Sequence, residues 1–258
     1  MSVWDLFTLR GEVALVTGGS RGLGLQIAQA LGEAGARVAI TARKPAELAE
    51  ALAVLRGQGI EAEAFTADLG AEGAAGPVVD DVLARFGRLD VLVNNAGTSW
   101  GAPAETYPAA GWHKVMKLNV DAVFFLSQEV ARRVMIPARH GKIINIASIG
   151  GLHGNGADLD MFTVAYNTSK AAVINMTRAL AVEWGRHDIN VNAVCPGWFP
   201  SKMSGELLAG NEELFLSRIP LRRFGGERDL QGAALLLASN AGRHITGQIV
   251  VVDGGQTA

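Results

Sequence analysis

A single cysteine, Cys195, rules out any disulfide within this chain. It lies by the apolar run 191–194 and before Pro196, and is expected to be a packed strand residue. Charge of one sign is missing too. Lys and Arg total 23 against 25 Asp and Glu, a net charge of −2, which gives no basic stripe for nucleic acid and no attraction to an anionic membrane. The one basic cluster, Arg132, Arg133, Arg139 and His140, follows a helical pattern and is expected to cap a helix C-terminus and face solvent. Long hydrophobic runs are absent: stretches such as 233–238 fall far short of the roughly 18 residues a membrane span needs. Residues 1–10 carry Asp5 and no long apolar core, so no secretory leader is expected, and the chain reads as a cytoplasmic protein. Five scattered histidines without metal-ligand spacing argue against a metal site. No linker, repeat or low-complexity segment divides the sequence.

What is present points to one α/β domain over residues 1–258. Its hydrophobic content of 49% and its 32 glycines suit a tightly turned sheet under close-packed helices. Strand-like runs are read at 13–17, 37–42, 61–66, 91–94, 142–147, 190–194 and 248–252. Helical patterns alternate with them at 23–34, 45–56, 71–86, 112–136, 166–185 and 227–237, with a further helical insert at 203–217. Several strands are apolar throughout, as expected where helices cover both faces of a parallel sheet. The alternation predicts a doubly wound, Rossmann-type sheet of about seven parallel strands.

The first strand runs into Thr17-Gly18-Gly19-Ser20-Arg21-Gly22-Leu23-Gly24 and then an apolar helix. Gly18 permits a sharp turn off the strand, Gly22 lets the backbone approach a pyrophosphate, and Gly24 lets the helix pack close to the sheet. The helix N-terminus then presents free N–H groups and a positive dipole end to phosphates. The second strand ends Thr41-Ala42-Arg43-Lys44, with no carboxylate before Glu47. An acid near this position would hold a ribose 2′-hydroxyl, whereas arginine suits a 2′-phosphate. Arg43 with Arg21 therefore favours NADP over NAD.

Tyr166 and Lys170, four apart on a predicted helix, lie on one face about 5–6 Å apart at their Cβ atoms. A cation about 5 Å from a phenol, at an effective dielectric of about 20, favours the phenolate by roughly 3 kcal/mol. The spacing thus predicts a tyrosine pKa depressed from its usual value near 10.

With Asp68-Leu69, Asn94-Asn95-Ala96-Gly97, Leu118-Asn119-Val120, Ser148, Pro196-Gly197, Ile245-Thr246-Gly247 and Val252-Asp253-Gly254-Gly255 added in this order, the chain resembles the short-chain dehydrogenase/reductase family along nearly its whole length. The resemblance implies hydride transfer between NADP(H) and a ketone or secondary alcohol, with NAD(H) as a secondary cofactor. It maps a catalytic tetrad onto Asn119, Ser148, Tyr166 and Lys170. In it Tyr166 transfers the proton, Lys170 lowers its pKa and holds the nicotinamide ribose, Ser148 orients the carbonyl, and Asn119 anchors a water through its helix backbone. Cofactor contacts would come from Gly18, Ser20, Arg21, Gly22, Leu23, Gly24, Arg43, Asp68, Leu69, Asn95, Ala96, Gly97, Tyr166, Lys170, Pro196, Gly197 and Ser201.

Ser148 and Tyr166 stand eighteen positions apart, several more than the family pattern, and the extra residues at 153–164 should border the substrate. The segment 198–221 should form a lid over the reacting carbon, with Trp198, Phe199, Leu207, Leu208, Leu214, Phe215 and Leu216 giving it apolar character. That character, with Thr98-Ser99-Trp100-Gly101 and Pro200-Ser201-Lys202-Met203, is similar to reductases of 3-oxoacyl thioesters. A sugar-acid or polyol dehydrogenase is the alternative within the family, and a non-catalytic cofactor-binding regulator is the alternative outside it. The family also implies a homotetramer or homodimer built through the two long helices. Val123, Phe124 and Phe125 on the first and Met176, Leu180 and Trp184 on the second are apolar positions to spare for it.

Overall fold

The computed structural model describes residues 2–154, 161–200, 205–208 and 210–258. Seven parallel strands form one sheet: β1 (Val13–Thr17), β2 (Arg37–Ala42), β3 (Ala62–Thr66), β4 (Val91–Asn94), β5 (Gly141–Ile146), β6 (Ile189–Pro196) and β7 (Ile249–Val252). Their spatial order is β3-β2-β1-β4-β5-β6-β7, so the winding reverses between β1 and β4. A reversal opens a crevice at the carboxyl ends of those two strands, where a ligand fits without displacing a connection.

Helices α1 (Gly22–Glu33), α2 (Pro45–Gly57) and α10 (Gln231–Ala238) pack on one face of the sheet. Helices α3 (Ala75–Phe86), α5 (Ala122–Val130) and α7 (Val164–Trp184) cover the other. The central strands β1, β4 and β5 are buried at every position, which accounts for their mainly apolar sequences; Thr17, Asn94, Lys142 and Asn145 are their buried polar members. The predicted helix 112–136 is a longer rod. α4 (Ala109–Met116), α5 and α6 (Ile136–Ala138) join through two π turns, Lys117–Asp121 and Ala131–Met135. Two short helices, α8 (Gly205–Leu208) and α9 (Glu212–Ser217), lie between β6 and β7.

The spare apolar positions on the long helices are spent largely inside the chain. Val123 and Leu180 are buried, and Phe124, Met176 and Trp184 pack against the core; Phe125 projects outward. A helix lying between the sheet and a neighbouring helix has two faces to cover, so its apolar arc is wider than one sheet contact requires. The basic cluster is exposed apart from partly covered Arg133 and His140, and it is paired: Arg132 with Glu129, and Arg133 with Asp80 and Glu129. Among the described residues no helix is long and apolar enough to cross a membrane, and no cluster of acidic, His and Cys side chains could hold a metal.

Candidate active site

A cleft of about 960 Å³ runs along the carboxyl ends of the strands. At one end, the loop after β1 turns on Gly18 at φ 62° and enters α1. A Cβ on Gly24 would stand 2.3 Å from the Gly18 carbonyl oxygen and 2.4 Å from Asn95 Nδ2, so only glycine lets α1 dock here. Asn95 locks the crevice: its Nδ2 donates to the carbonyls of Thr17 (2.8 Å) and Gly18 (3.1 Å). Thr17 completes the joint, its Oγ1 accepting the N–H groups of Asn95 (2.9 Å) and Ala96 (3.0 Å). Thr17 is a positioning residue that the sequence pattern marked as the strand end and the start of the glycine motif, without a role of its own.

No side chain caps the N-terminus of α1, which leaves its first-turn N–H groups open to the cleft. Open amides and a positive helix end fit the phosphates of a dinucleotide. Arg21, Arg43 and Lys44 line this end, as do Asp68 and Leu69. Glu47 also reaches it, 3.7 Å from Arg21 Nε and 3.0 Å from Lys44 Nζ. The sequence reading passed over Glu47 and Lys44 because the first turn of α2 is what carries that carboxylate back towards the cleft.

At the other end stand the four tetrad residues. Ser148 leaves β5 and caps a short turn, Ile149–Gly151, its Oγ accepting the Gly150 N–H at 3.1 Å. A Cβ on Gly151 would lie 2.6 Å from the backbone of Lys170, so a glycine here lets the Ser148 turn rest on α7. Ser148 thereby hydrogen-bonds the phenol of Tyr166. Lys170 Nζ lies 5.6 Å from the Tyr166 ring centre and donates to the Ile146 carbonyl at 2.7 Å.

Asn119 sits in the π turn Lys117–Asp121. Its Oδ1 accepts the Thr98 N–H, and its Nδ2 donates to the Thr98 carbonyl and Ser169 Oγ, all at 2.9–3.0 Å. The side chain is therefore occupied in fastening the 98 loop to α7.

Electrostatics here run against the direction expected from spacing. Burial lowers the Lys170 pKa from 10.5 to about 8. Burial also raises that of Tyr166, with the Ser148 hydrogen bond pulling the other way. Desolvation penalises both charged forms and is the first cause of both shifts, and the Lys170 ammonium donates to the Ile146 carbonyl. Cys195 is packed as expected on β6, but it lies close enough to both groups to feel them, and burial pushes its thiol up to about 11.

Ala96, Gly97, Pro196 and Gly197 line the cleft with the tetrad side chains Ser148, Tyr166 and Lys170; Ser201 lies outside the described residues. Of the insertion at 153–164, His153, Gly154, Met161 and Thr163 border the cleft and residues 155–160 are not described. Sequence reasoning missed Asn167, Arg218 and Gln256, which complete this end of the cleft.

Known proteins share this arrangement. The family described as enoyl-(acyl carrier protein) reductase matches residues 18–257. A 3-oxoacyl-(acyl-carrier-protein) reductase of rhamnolipid biosynthesis from Pseudomonas aeruginosa is 42% identical, over 96% of this chain and 97% of its own. Gluconate 5-dehydrogenase of Gluconobacter oxydans is 39% identical, over 100% and 99%. The crystal structure of a gluconate 5-dehydrogenase from Burkholderia cenocepacia, in complex with NADP and tartrate, superposes with a TM-score of 0.92 at 36% identity, covering 99% of each chain. With its sheet order, its glycine turn and its Ser-Tyr-Lys geometry, the chain belongs to the short-chain dehydrogenase/reductase family of oxidoreductases.

Proposed function

We propose that this enzyme uses NADP(H) to interconvert a ketone and a secondary alcohol on a small polar oxo or hydroxy acid of the sugar-acid class. The observation that carries the substrate reading is the polar character of the cleft beside Ser148 and Tyr166, where Ser99, His153 and Gln256 are among the lining residues. The relatives that act on gluconate support the same class.

When bound, the nicotinamide supplies or accepts the hydride. The residues of the chain handle the proton. Tyr166 Oη gives it to the carbonyl oxygen during reduction and takes it back during oxidation. Ser148 holds that oxygen through a hydrogen bond, and Lys170 supports the phenolate that remains. The predicted lid at 198–221 would close over the reacting carbon; residues 201–204 and 209 of it lie outside the described residues. Two copies associate through α5 and α7, where Phe125 and Val182 are exposed.

Three cations, Arg21, Arg43 and Lys44, against Glu47 and Asp68 at the adenosine end favour NADP(H), each charge-assisted contact to a 2′-phosphate being worth about 1.5–3 kcal/mol. Arg43→Asp is expected to reverse the ratio of kcat/KM for NADPH and NADH. A second reading, reduction of a 3-oxoacyl thioester, is favoured by exposed Leu152, Phe162 and Val164, which flank cleft-lining residues and would suit an acyl chain. Gluconate with NADP⁺, and 5-ketogluconate or acetoacetyl-CoA with NADPH, decide between them by absorbance at the nicotinamide band. A kcat/KM for the thioester tenfold above that for the sugar acid would replace the first reading with the second.

A further inference from the structure

Thr163 stands in the cap position of α7, where a threonine hydroxyl ordinarily accepts an N–H of the first turn. Here it makes no such bond. Its Oγ1 donates instead to Asn167 Oδ1 at 3.0 Å, while the Asn167 N–H donates to the Thr163 carbonyl at 3.0 Å. The Asn167 amide lies against the Ser148 turn: a Cβ on Gly150 would stand 3.3 Å from Asn167 Oδ1 and 3.5 Å from Ser148 Oγ. One residue earlier, the Phe162 carbonyl accepts the Ala102 N–H at 2.9 Å, which joins the end of the insertion to the loop after β4. That loop is itself fixed. Asn119 holds Thr98, the Trp100 carbonyl accepts the Tyr107 hydroxyl at 2.9 Å, and the Trp100 ring rests on Gly111 of α4. A Cβ on Gly111 would stand 2.9 Å from three atoms of that ring. Met161 and Thr163 line the cleft while Phe162 between them is half exposed, the alternation of an extended segment.

We propose that Thr163 and Asn167 are positioning residues which, with the Ala102–Phe162 bond, hold 161–163 as a fixed wall of the substrate half and so set which ketone fits beside Ser148 and Tyr166. Successive residues are tied to two different segments, Phe162 to the loop after β4 and Thr163 to α7. One tie alone would leave the wall free to pivot; two fix both its direction and its distance from the reacting centre. The cap position is where the cost shows, since α7 gives up a side-chain bond to its first turn and the hydroxyl goes to a residue that borders the cleft. A wall already in place loses little freedom when substrate arrives, so its effect falls on binding. Neither side chain is needed to move the proton, so loosening the wall raises KM and leaves kcat nearly unchanged. The inference holds for either substrate class considered above.

Thr163→Val keeps the shape and removes the hydroxyl, Thr163→Ser keeps the hydroxyl, and Asn167→Ala removes its acceptor. Each is assayed with NADPH and either 5-ketogluconate or acetoacetyl-CoA, whichever the parent reduces with the higher kcat/KM. Thr163→Val and Asn167→Ala should raise the ketone KM at least about fivefold, with kcat and the NADPH KM within about twofold of the parent. Thr163→Ser should match the parent. Hydrogen exchange of the NADPH-loaded proteins adds a measurement that needs no substrate, so the proposal is tested even if neither ketone is turned over. Peptides covering 98–104 and 161–166 should exchange at least about tenfold faster in Thr163→Val and Asn167→Ala, while β6 stays as protected as in the parent and reports an intact fold. Exchange that is unchanged at 98–104, or faster throughout the chain, would overturn the proposal. So would a ketone KM that stays at the parent value, or a loss confined to kcat.

Discussion

At Tyr166 and Lys170 burial drives both groups towards their neutral forms, and the two consequences can be measured apart. Tyr166→Phe removes the transferable proton and keeps the ring, so kcat should fall by about 10²–10⁴ while NADPH affinity changes less than about twofold. A variant retaining a tenth of normal kcat would remove Tyr166 from the chemistry. Lys170 carries the opposite trade. Its folded pKa, about 8, lies below the unfolded value of about 10.5, so its contribution to stability is present above the unfolded value and is lost as pH falls through 8. At pH 7 the native protein therefore bears the cost of a buried ammonium. Replacing it with methionine gives up one hydrogen bond, to Ile146, and removes that cost. Lys170→Met should stabilise the cofactor-free protein by about 1–2 kcal/mol at pH 7 and by much less at pH 10.5, while turnover is lost. Denaturant unfolding at the two pH values checks the sign.

Among the elements, β4 and β5 do more than carry site residues at their ends. Asn94 Nδ2 donates to Asn145 Oδ1 (2.9 Å) and to Ser127 Oγ of α5 (3.0 Å). Asn145 Nδ2 donates to Thr177 Oγ1 of α7 at 2.9 Å. Four buried polar side chains thus tie both long helices to the two central strands, directly beneath Ser148. Asn145→Ala cuts the chain in the middle and should cost about 2–4 kcal/mol, since Asn94 Nδ2 and Thr177 Oγ1 each lose one of their buried hydrogen bonds. In an Asn94→Ala background the same change should cost less than half as much, by unfolding in denaturant; full additivity would mean the network does not act as one.

The sheet itself was legible: the strands read at 13–17, 37–42 and 91–94 form as written, because short, mainly apolar runs between helical patterns are buried best inside a parallel sheet. Two helix starts were read early. Residues 71–74 form turns around Gly73 at φ 73°, and Asp229 accepts the Gly226 N–H and pairs with Arg223, which holds that segment as a turn before α10. The Tyr166–Lys170 pair was visible because one helix makes it. Gln256, Arg218 and Trp198 were not visible as a set, since three separate segments bring them to the cleft and no local spacing records it.

Over the whole molecule, the parallel sheet separates two polar regions. The carboxyl ends of the strands hold the cleft, and the amino ends hold a charge cluster that takes no part in it. There Arg88 grips Asp90 through two hydrogen bonds of 2.7 and 2.8 Å, and Asp90 Oδ2 also accepts the Val13 N–H. Lys142 is buried and donates to Asn190 Oδ1. Glu12 lies among them, its Oε2 buried and without a hydrogen-bond partner among the described residues. Its pKa is raised from 4.5 to about 7, first by burial and then by Asp90, with Arg88 and Lys142 opposing. A raised acid contributes stability that is fully present below the unfolded pKa and is lost as pH rises through the folded one. For Glu12 that window runs from about 4.5 to 7. Glutamine keeps the shape and has no charge to bury. Glu12→Gln should therefore match the parent near pH 4.5 and exceed it increasingly up to pH 7, by about 1–2 kcal/mol once solvent access to the partly exposed side chain is discounted. Because the cluster lies at the far end of the sheet from Tyr166, kcat and the cofactor KM should not change. Denaturant unfolding of both proteins from pH 4.5 to 8 provides the measurement. A stability difference that is constant across that range would mean Glu12 is ionised throughout and that Arg88 and Lys142 outweigh its burial.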